Sequence, residues 1–408
     1  MNKEKKTIAS NYFALLLIQG ANFILPLITF PYLVRVLESE KYGLVIIAQS
    51  VAIFLTIIVD FGFNISATRE VSNLRNNKEE LSKYFWNVFF IKTLLILISF
   101  LILLFLVLTI EKFKLNPFVY IYSFGLVIGQ AIFPTWFFQG IEQMKVITFM
   151  NITAKAFFTF AIFIFILSPN DYLLVPILNG LGFIISGIIG FIYSLKFLDF
   201  YKPDIKQSVY IAKESCSLLV SNLAVSLYTS SNVLILGFFG GDVIAGVYAS
   251  IEKLVIASKS IYMPLYQALF PNISKKSPEE IFFLIKKITI PIAILGFLIT
   301  LTIVLLAKNI LNFVYDDELI SSYYYILQIV GLIAFFSSLN MLFVTLYFPA
   351  IKKYKIRVKI LVSSGIFHLF LVVILTNFFS IIGVAISASI TEFIILIYAY
   401  ILYNKQKK

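Results

Sequence analysis

The amino-acid sequence predicts an all-α integral membrane protein with about twelve transmembrane helices. Of its 408 residues, 60% are hydrophobic and 13% are charged, so the chain has more apolar side chains than a soluble core buries. Twelve apolar runs are long enough to cross a bilayer. Lysine and arginine are concentrated in alternate connecting segments, as the positive-inside rule requires. We therefore expect membrane lipid to be the main solvent of this protein.

Charged and turn residues separate the twelve runs, most of which hold the roughly 20 apolar residues that a helical crossing needs. They cover residues 8–34, 42–62, 85–109, 117–138, 147–168, 172–195, 215–238, 244–270, 288–307, 320–348, 359–377 and 381–403.

The distribution of charge predicts the orientation. The basic N-terminus runs into an apolar segment that continues past Val34 without a small-residue cleavage site, which predicts a retained first helix. With the N-terminus in the cytoplasm, 24 of the 33 lysines and arginines fall in cytoplasmic segments and five in outside loops. We expect both termini in the cytoplasm. No soluble stretch is long enough to present a basic face, so the net charge of +12 does not predict nucleic-acid binding.

The chain divides into two halves of six predicted spans. The basic segment 196–214 lies between them, and we place the boundary of the lobes at 1–202 and 203–408. Because six is even, both halves begin in the cytoplasm, which predicts a parallel repeat about the membrane normal. Two faint similarities support it: residues 33–50 resemble 236–250, and residues 63–66 resemble 271–274.

Three motifs identify a known family. They are Pro31-Tyr32-Leu33 with Arg35, Leu37 and Tyr42-Gly43; Asp60-Phe61-Gly62-Phe63-Asn64 with Ser66-Ala67-Thr68-Arg69; and Pro134-Thr135-Trp136-Phe137-Phe138-Gln139-Gly140 with Glu142 and Met144. In these stretches the chain resembles the Wzx-type O-antigen and polysaccharide flippases of the multidrug/oligosaccharidyl-lipid/polysaccharide (MOP) exporter superfamily. The similarity continues more weakly through Gly246, Tyr248, Lys253, Pro264 and Phe270-Pro271. Glu38 and Ser39 stand where that family usually has Gly and often Pro.

The resemblance implies a fold and a cargo. It implies a V-shaped pair of six-helix lobes in the bacterial inner membrane, acting as a monomer without a cofactor. The implied cargo is an undecaprenyl-pyrophosphate-linked oligosaccharide, carried outward through surrounding membrane lipids, with polymerase and chain-length proteins of the same pathway as possible partners. Such a cargo needs cations for its pyrophosphate and polar groups for its sugars.

Four lysines fall inside predicted spans, where a charge costs several kcal/mol unless it snorkels or meets water or a partner. Lys155 recurs with Asn151 and Thr159 at a spacing of four residues, which places the three on one helical stripe. That stripe predicts a cavity lining for Asn151 and Lys155, and the alternative is a snorkelling lysine. For Lys92, nearer the inner end of its span, we expect snorkelling.

The eighth span carries three charges within eight residues, Glu252, Lys253 and Lys259. We expect Lys253 and Lys259 to bind substrate, and Glu252, together with Glu392 in the last span, to couple ions. The alternative for Glu252 is a structural ion pair with a neighbouring helix. The lone histidine, His368, is expected to be a core side chain bonded to a neighbour more than a proton site.

Asn22 and Arg35 complete the predicted substrate-binding set. Asn22 lies on a polar face of the first helix, where bonding to neighbouring helices is the alternative. Arg35 is placed at the periplasmic mouth, where an interfacial anchor explains it equally well.

Several other functions are less compatible with the sequence. A single cysteine, Cys216, and a single histidine leave no basis for a zinc site or a Ser-His-Asp triad. No P-loop pattern is present, so we expect transport to be driven by gradients and not by ATP. A drug or cation exporter of the same superfamily is the nearest alternative. Such exporters resemble one another in a buried carboxylate of the N-terminal lobe, whereas the first helix here has no acid between Glu4 and Glu38. A polysaccharide polymerase or glycosyltransferase is the alternative from another class, but no outer loop is long enough for a typical catalytic loop.

Overall fold

The structure is a computed structural model that describes residues 3–262, 266, 269, 273 and 276–405. For residues 3–24, 26, 27, 221 and 224 it describes the backbone alone. Within that part of the chain every regular element is helical and no β-strand occurs.

The α-helices are numbered in chain order. They are α1 (Lys3–Asp60), α2 (Phe63–Leu74), α3 (Lys78–Thr109), α4 (Glu111–Lys114), α5 (Pro117–Ile132), α6 (Thr135–Gly140), α7 (Met144–Phe165), α8 (Leu174–Ser194), α9 (Ile205–Ser260), α10 (Pro278–Tyr315), α11 (Glu318–Ser322), α12 (Tyr324–Asn340), α13 (Phe348–Ala350) and α14 (Tyr354–Lys405). Single 3₁₀ turns at Pro169–Leu173 and Leu195–Phe197 flank α8, and a π-helical segment, Met341–Tyr347, joins α12 to α13.

Three of these helices are long enough to cross a bilayer twice. Helices α1, α9 and α14 have 58, 56 and 52 residues, and at 1.5 Å per residue each exceeds about 75 Å. Each is interrupted by one non-helical residue, at Glu38, Gly241 and Ser380 respectively. Among the described residues, nine helical stretches are long and apolar enough to cross a membrane. Counting the three broken helices as two crossings each gives twelve spans, so the predicted fold class is confirmed.

The breaks at Glu38 and Gly241 have the same backbone geometry. Glu38 has φ 58° and ψ 164°, and Gly241 has φ 82° and ψ 177°. Glycine reaches this region freely, whereas a side chain there costs about 1–3 kcal/mol. The predicted loop 35–41 is therefore a one-residue break within α1. Glu38 adopts a backbone conformation that favours the Gly usual in the resembled family.

The second motif forms the turn between α1 and α2. Phe61 and Gly62 follow each other with φ 50° and 83°, two consecutive left-handed residues. A Cβ added to Gly62 would lie 2.6 Å from the Cβ of Leu218, so this position requires glycine for space as well as for conformation. The turn sends the chain into α2, whose Phe63, Ala67 and Val71 are buried.

The third motif forms the short helix α6, which packs against α2. Trp136, Phe137 and Phe138 are buried, and the Trp136 ring lies 5.3 Å from that of Phe85 in α3. A Cβ on Gly140 would meet the side chain of Val71, so the glycine allows the two helices to approach closely. The most specific motif of the sequence therefore has a packing function in this structure.

The chain forms two compact units. The first contains residues 1–29 and 44–223, and the second contains residues 30–43 and 224–408. The second unit thus includes the residues around the break in α1, and the first continues 21 residues past the predicted boundary at residue 202. The division into moving lobes at 1–202 and 203–408 stays a prediction.

Candidate functional site

A polar cavity of about 320 Å³ lies inside the first unit. Side chains from α1, α3, α5, α7 and α8, together with Asn64 at the start of α2 and Thr135 at the start of α6, form its wall. Its polar and charged lining residues are Thr56, Asp60, Asn64, Lys92, Gln130, Thr135, Asn151, Lys155 and Ser186. Two lysines against one aspartate give this cavity a formal charge of +1.

The predicted stripe on α7 contributes to this wall. Asn151 and Lys155 both line the cavity. Thr159, one turn further, is buried and its hydroxyl lies 3.1 Å from that of Thr29. The stripe therefore runs from the cavity into a contact between α7 and α1, and the role of Asn151 and Lys155 in binding stays a prediction.

Lys92 and Asp60 are cavity residues that the sequence analysis did not select. Lys92 is only 4% exposed and lines the cavity with Asp60, which has the opposite charge. The expectation that Lys92 snorkels is wrong, because its side chain is enclosed by protein. Its position in the third span was visible in the sequence, but the facing helices that enclose it are distant in the chain.

A second group of charged and polar side chains lies in the second unit, around Glu252 and Lys253 of α9. The Lys253 ammonium lies 4.4 Å from the centre of the Phe30 ring, a cation–π contact. The Glu252 carboxylate accepts a hydrogen bond of 3.3 Å from the amide of Asn232. These adjacent residues therefore have different partners, as their 100° rotation on the helix requires.

Lys259 and Glu392 form an ion pair between α9 and α14. The Lys259 ammonium donates to Glu392 Oε1 at 2.6 Å, and the Asn340 amide donates to Glu392 Oε2 at 2.6 Å. The Glu392 side chain is 11% exposed and that of Lys259 is 33% exposed. The acid predicted to couple ions and the lysine predicted to bind substrate thus neutralise each other here.

His368 is fully buried between α9 and the second half of α14. Its Nδ1 lies 2.8 Å from the Thr391 hydroxyl, and its Nε2 lies 2.9 Å from Oδ1 of Asn232. Asn232 also donates to the Tyr248 hydroxyl at 3.2 Å. The expectation that His368 is bonded to neighbours is confirmed, and the amide of Asn232 connects it to Glu252.

The last two predicted residues differ in what the structure describes. Arg35 donates to the backbone carbonyl oxygens of Tyr315, at 2.8 Å, and Val314, at 3.2 Å. It therefore caps the C-terminal end of α10. A substrate role for Arg35 stays a prediction. The side chain of Asn22 lies outside the described residues.

The first unit's cavity has the chemistry to bind an anion that carries hydroxyl groups. Lysine ammonium groups attract phosphate oxygens strongly where water is scarce. The amides of Gln130, Asn151 and Asn64 offer both donors and acceptors to sugar hydroxyls. Among the described residues, no cluster of His, Cys, Asp and Glu has the arrangement of a metal site.

Known proteins of similar sequence are polysaccharide transporters by name. The chain is 29% identical over 405 residues to an Escherichia coli (strain K12) protein named "Putative O-antigen transporter", covering 96% of this chain and 95% of that protein. It is 30% identical over 392 residues to a Shigella dysenteriae protein of the same name, covering 95% and 98%.

Solved structures show the fold. An inward-facing multidrug resistance MATE family transporter of the MOP superfamily aligns with a TM-score of 0.71 and 12% identity, covering 94% of this chain and 95% of that one. The lipid II flippase MurJ aligns with a TM-score of 0.70 and 18% identity, covering 95% and 87%. The protein therefore has the fold of the MOP transporters. Residues 8–277 match the family described as "Polysaccharide biosynthesis protein", and with the relatives above this shows that the chain belongs to that family.

Proposed function

We propose that this protein is a flippase for lipid-linked oligosaccharides. It carries undecaprenyl-pyrophosphate-linked repeat units, of O-antigen or a similar polysaccharide, from the cytoplasmic to the periplasmic leaflet of a bacterial inner membrane by alternating access. Both termini lie in the cytoplasm. It works as a monomer beside the polymerase and chain-length proteins of the same pathway, and it performs no chemical reaction on its cargo.

The first unit's cavity is the observation that carries this proposal. Lys92 and Lys155 supply two cations for a pyrophosphate, and the amides of Gln130 and Asn151 supply hydrogen-bonding groups for sugars. Its volume of about 320 Å³ holds part of such a head group, so the remaining sugars need additional wet space. The polyprenyl tail stays in the lipid, which removes any need for an apolar tunnel.

Asp60 gives a cation or drug exporter a specific observation in its favour. An acid in a cavity of the N-terminal half is the kind of group that binds a cationic cargo or a coupling ion. Lys92 in the same wall opposes a cationic cargo by electrostatic repulsion. The cavity therefore favours the anionic cargo, and in this view Asp60 serves as the counter-charge of Lys92.

A reconstituted flipping assay separates the two functions. In proteoliposomes with fluorescent undecaprenyl-pyrophosphate-linked oligosaccharide, Lys92→Gln is expected to lower the flipping rate at least tenfold, while Asp60→Asn retains most of it. A cation exporter predicts the opposite order for uptake of a cationic dye. Dye transport that depends on Asp60, with no oligosaccharide flipping by the unchanged protein, would refute the proposal.

A further inference from the structure

Within the second unit, one chain of hydrogen bonds joins a buried histidine to a half-buried carboxylate. It runs from the Ser387 carbonyl through Thr391, His368 and Asn232 to Glu252. His368 is 0% exposed, Asn232 is 4% exposed and Thr391 is 1% exposed. None of these residues is among those that line the cavity of the first unit, so the cargo site does not explain them.

The hydrogen-bond roles in this chain constrain the protons on the imidazole. The Thr391 hydroxyl has one hydrogen, which it donates to the Ser387 carbonyl oxygen at 2.7 Å. Its oxygen can then only accept from His368 Nδ1, so Nδ1 carries a proton. Asn232 Oδ1 is an acceptor as well, because the amide nitrogen is already directed at Tyr248 and Glu252. Nε2 must then carry a proton too, and this arrangement contains an imidazolium.

The chain also accommodates a neutral histidine beside an ionised Glu252. If the Asn232 amide is turned over, its nitrogen donates to Nε2 and its oxygen accepts from the Tyr248 hydroxyl. If the amide keeps its orientation, the Thr391 hydroxyl rotates away from Ser387 and donates to Nδ1. Loss of the proton therefore costs one hydrogen bond.

We propose that His368 and Glu252, bridged by the amide of Asn232, form a binding site for one exchangeable proton. The proton enters from the aqueous phase and adds to Nδ1 as the Thr391 hydroxyl rotates toward Ser387. It leaves by the reverse movement, and no other bond forms or breaks. The effect of this site on transport rests on the function proposed above. Its protonation does not, because it is measurable without cargo.

The surrounding charges set the balance between the two forms. The carboxylates of Glu252 on α9 and Glu392 on α14 attract an imidazolium, and the ammonium groups of Lys253 and Lys259 on α9 repel it. Lys259 is paired with Glu392. Tyr248, also on α9, accepts a hydrogen bond from Asn232 at 3.2 Å. Glu252 and Lys253 therefore act on this site with opposite signs.

The single histidine makes the test direct. Protein labelled with ¹⁵N-histidine, purified through a tag without histidine and placed in lipid nanodiscs, gives the signals of one imidazole. Its two ring nitrogens are followed by NMR between pH 5 and 9. We expect a change from two protonated nitrogens to one within this range. The same change is expected to occur at a lower pH in Glu252→Gln and at a higher pH in Lys253→Gln, by about one pH unit each. Glu392→Gln is the matched control and is expected to shift it less than Glu252→Gln does.

A ring that keeps one state from pH 5 to 9, or a transition that neither Glu252→Gln nor Lys253→Gln moves, would overturn the proton site. The transport arm is separate. His368→Gln is expected to flip lipid-linked oligosaccharide with a rate that no longer varies with pH, while the unchanged protein keeps its pH dependence. A normal NMR titration in a protein that flips no oligosaccharide would reject the proposed cargo and leave the proton site intact.

Discussion

Gly43 and Gly246 pack backbone to backbone, and neither position has room for a side chain. A Cβ on Gly43 would overlap the carbonyl group of Asp242, and a Cβ on Gly246 would overlap that of Ser39. The relationship is reciprocal, since Ser39 and Asp242, like Gly43 and Gly246, are 203 residues apart in the chain. The two helix breaks, at Glu38 and Gly241, have the same separation. The parallel repeat predicted from faint sequence similarity thus has a structural counterpart.

This reciprocity predicts a non-additive double substitution. Gly43→Ala and Gly246→Ala are each expected to destabilise the protein by about 1–3 kcal/mol, because an added methyl group forces the two backbones apart. Once either methyl group has separated them, the second costs less. Melting in detergent, followed by tryptophan fluorescence, is expected to give a double variant whose loss in Tm is smaller than the sum of the single losses. Additive losses would contradict the reciprocal contact.

Replacement of Glu38 by glycine is expected to stabilise the protein. The backbone at Glu38 lies in a region that is costly for every residue with a side chain, so Glu38→Gly relieves about 1 kcal/mol of strain and raises the Tm. Glu40→Gly is the matched control, two residues away in ordinary helix, where glycine costs about 1 kcal/mol. A lower Tm for both variants would show that Glu38 is not strained.

The charge of Lys155 is expected to matter more than its shape. Lys155→Arg keeps a cation in the cavity and is expected to retain part of the transport, whereas Lys155→Gln is expected to lose most of it. O-antigen display in a strain lacking its own flippase measures both. Lys145→Gln, an exposed lysine near the start of the same helix, is the control and is expected to be neutral. Full display by Lys155→Gln at normal expression would remove Lys155 from the site.

The membrane potential is expected to sustain outward flipping without an ion gradient. When an anion leaves a negative cytoplasm, its electrostatic free energy falls by about 2.3 kcal/mol per charge per 100 mV. The roughly two charges of a pyrophosphate diester then release about 4–5 kcal/mol per 100 mV if no cation travels with the cargo. The positive charges of the lysines should therefore not cross the membrane together with the cargo.

Proteoliposomes with potentials clamped by valinomycin test this prediction, and reversing the sign of the potential should reverse the net direction. Neutralising Glu252 and Glu392 together is expected to slow turnover without removing the dependence on potential. The same rate and direction at both signs would contradict a potential-driven carrier.

The orientation in the membrane is expected to follow the basic residues. Cys216 is exposed and is the only cysteine of the sequence, so Cys216→Ser provides a background for labelling. A cysteine introduced as Tyr201→Cys is expected to resist an impermeant thiol reagent in intact cells and to react after lysis. A cysteine introduced as Phe313→Cys, at an exposed position near the outer end of α10, is the accessible control. Labelling of residue 201 in intact cells would overturn the predicted topology.

The fold class, the number of spans and the family could all be predicted from the amino-acid sequence. Hydrophobic length and the alternation of basic segments are local properties, since each span must satisfy its own backbone in lipid. The same holds for the stripe of Asn151 and Lys155, which depends only on the helical period within α7. The family motifs were visible too, although their function as a turn at Gly62 and a close helix contact at Gly140 was not.

The partners of the charged side chains in the spans depend on how distant helices pack together. Lys92 and Asp60 share a cavity, Lys259 pairs with Glu392, and Asn232 connects His368 to Glu252 across 136 and 20 residues of sequence. Helical periodicity gives the face on which a charge lies, but it does not identify the helix that packs against that face. A charge in an apolar span is stable only with a partner, and the choice among snorkelling, ion pair and cavity depends on which distant helix supplies it.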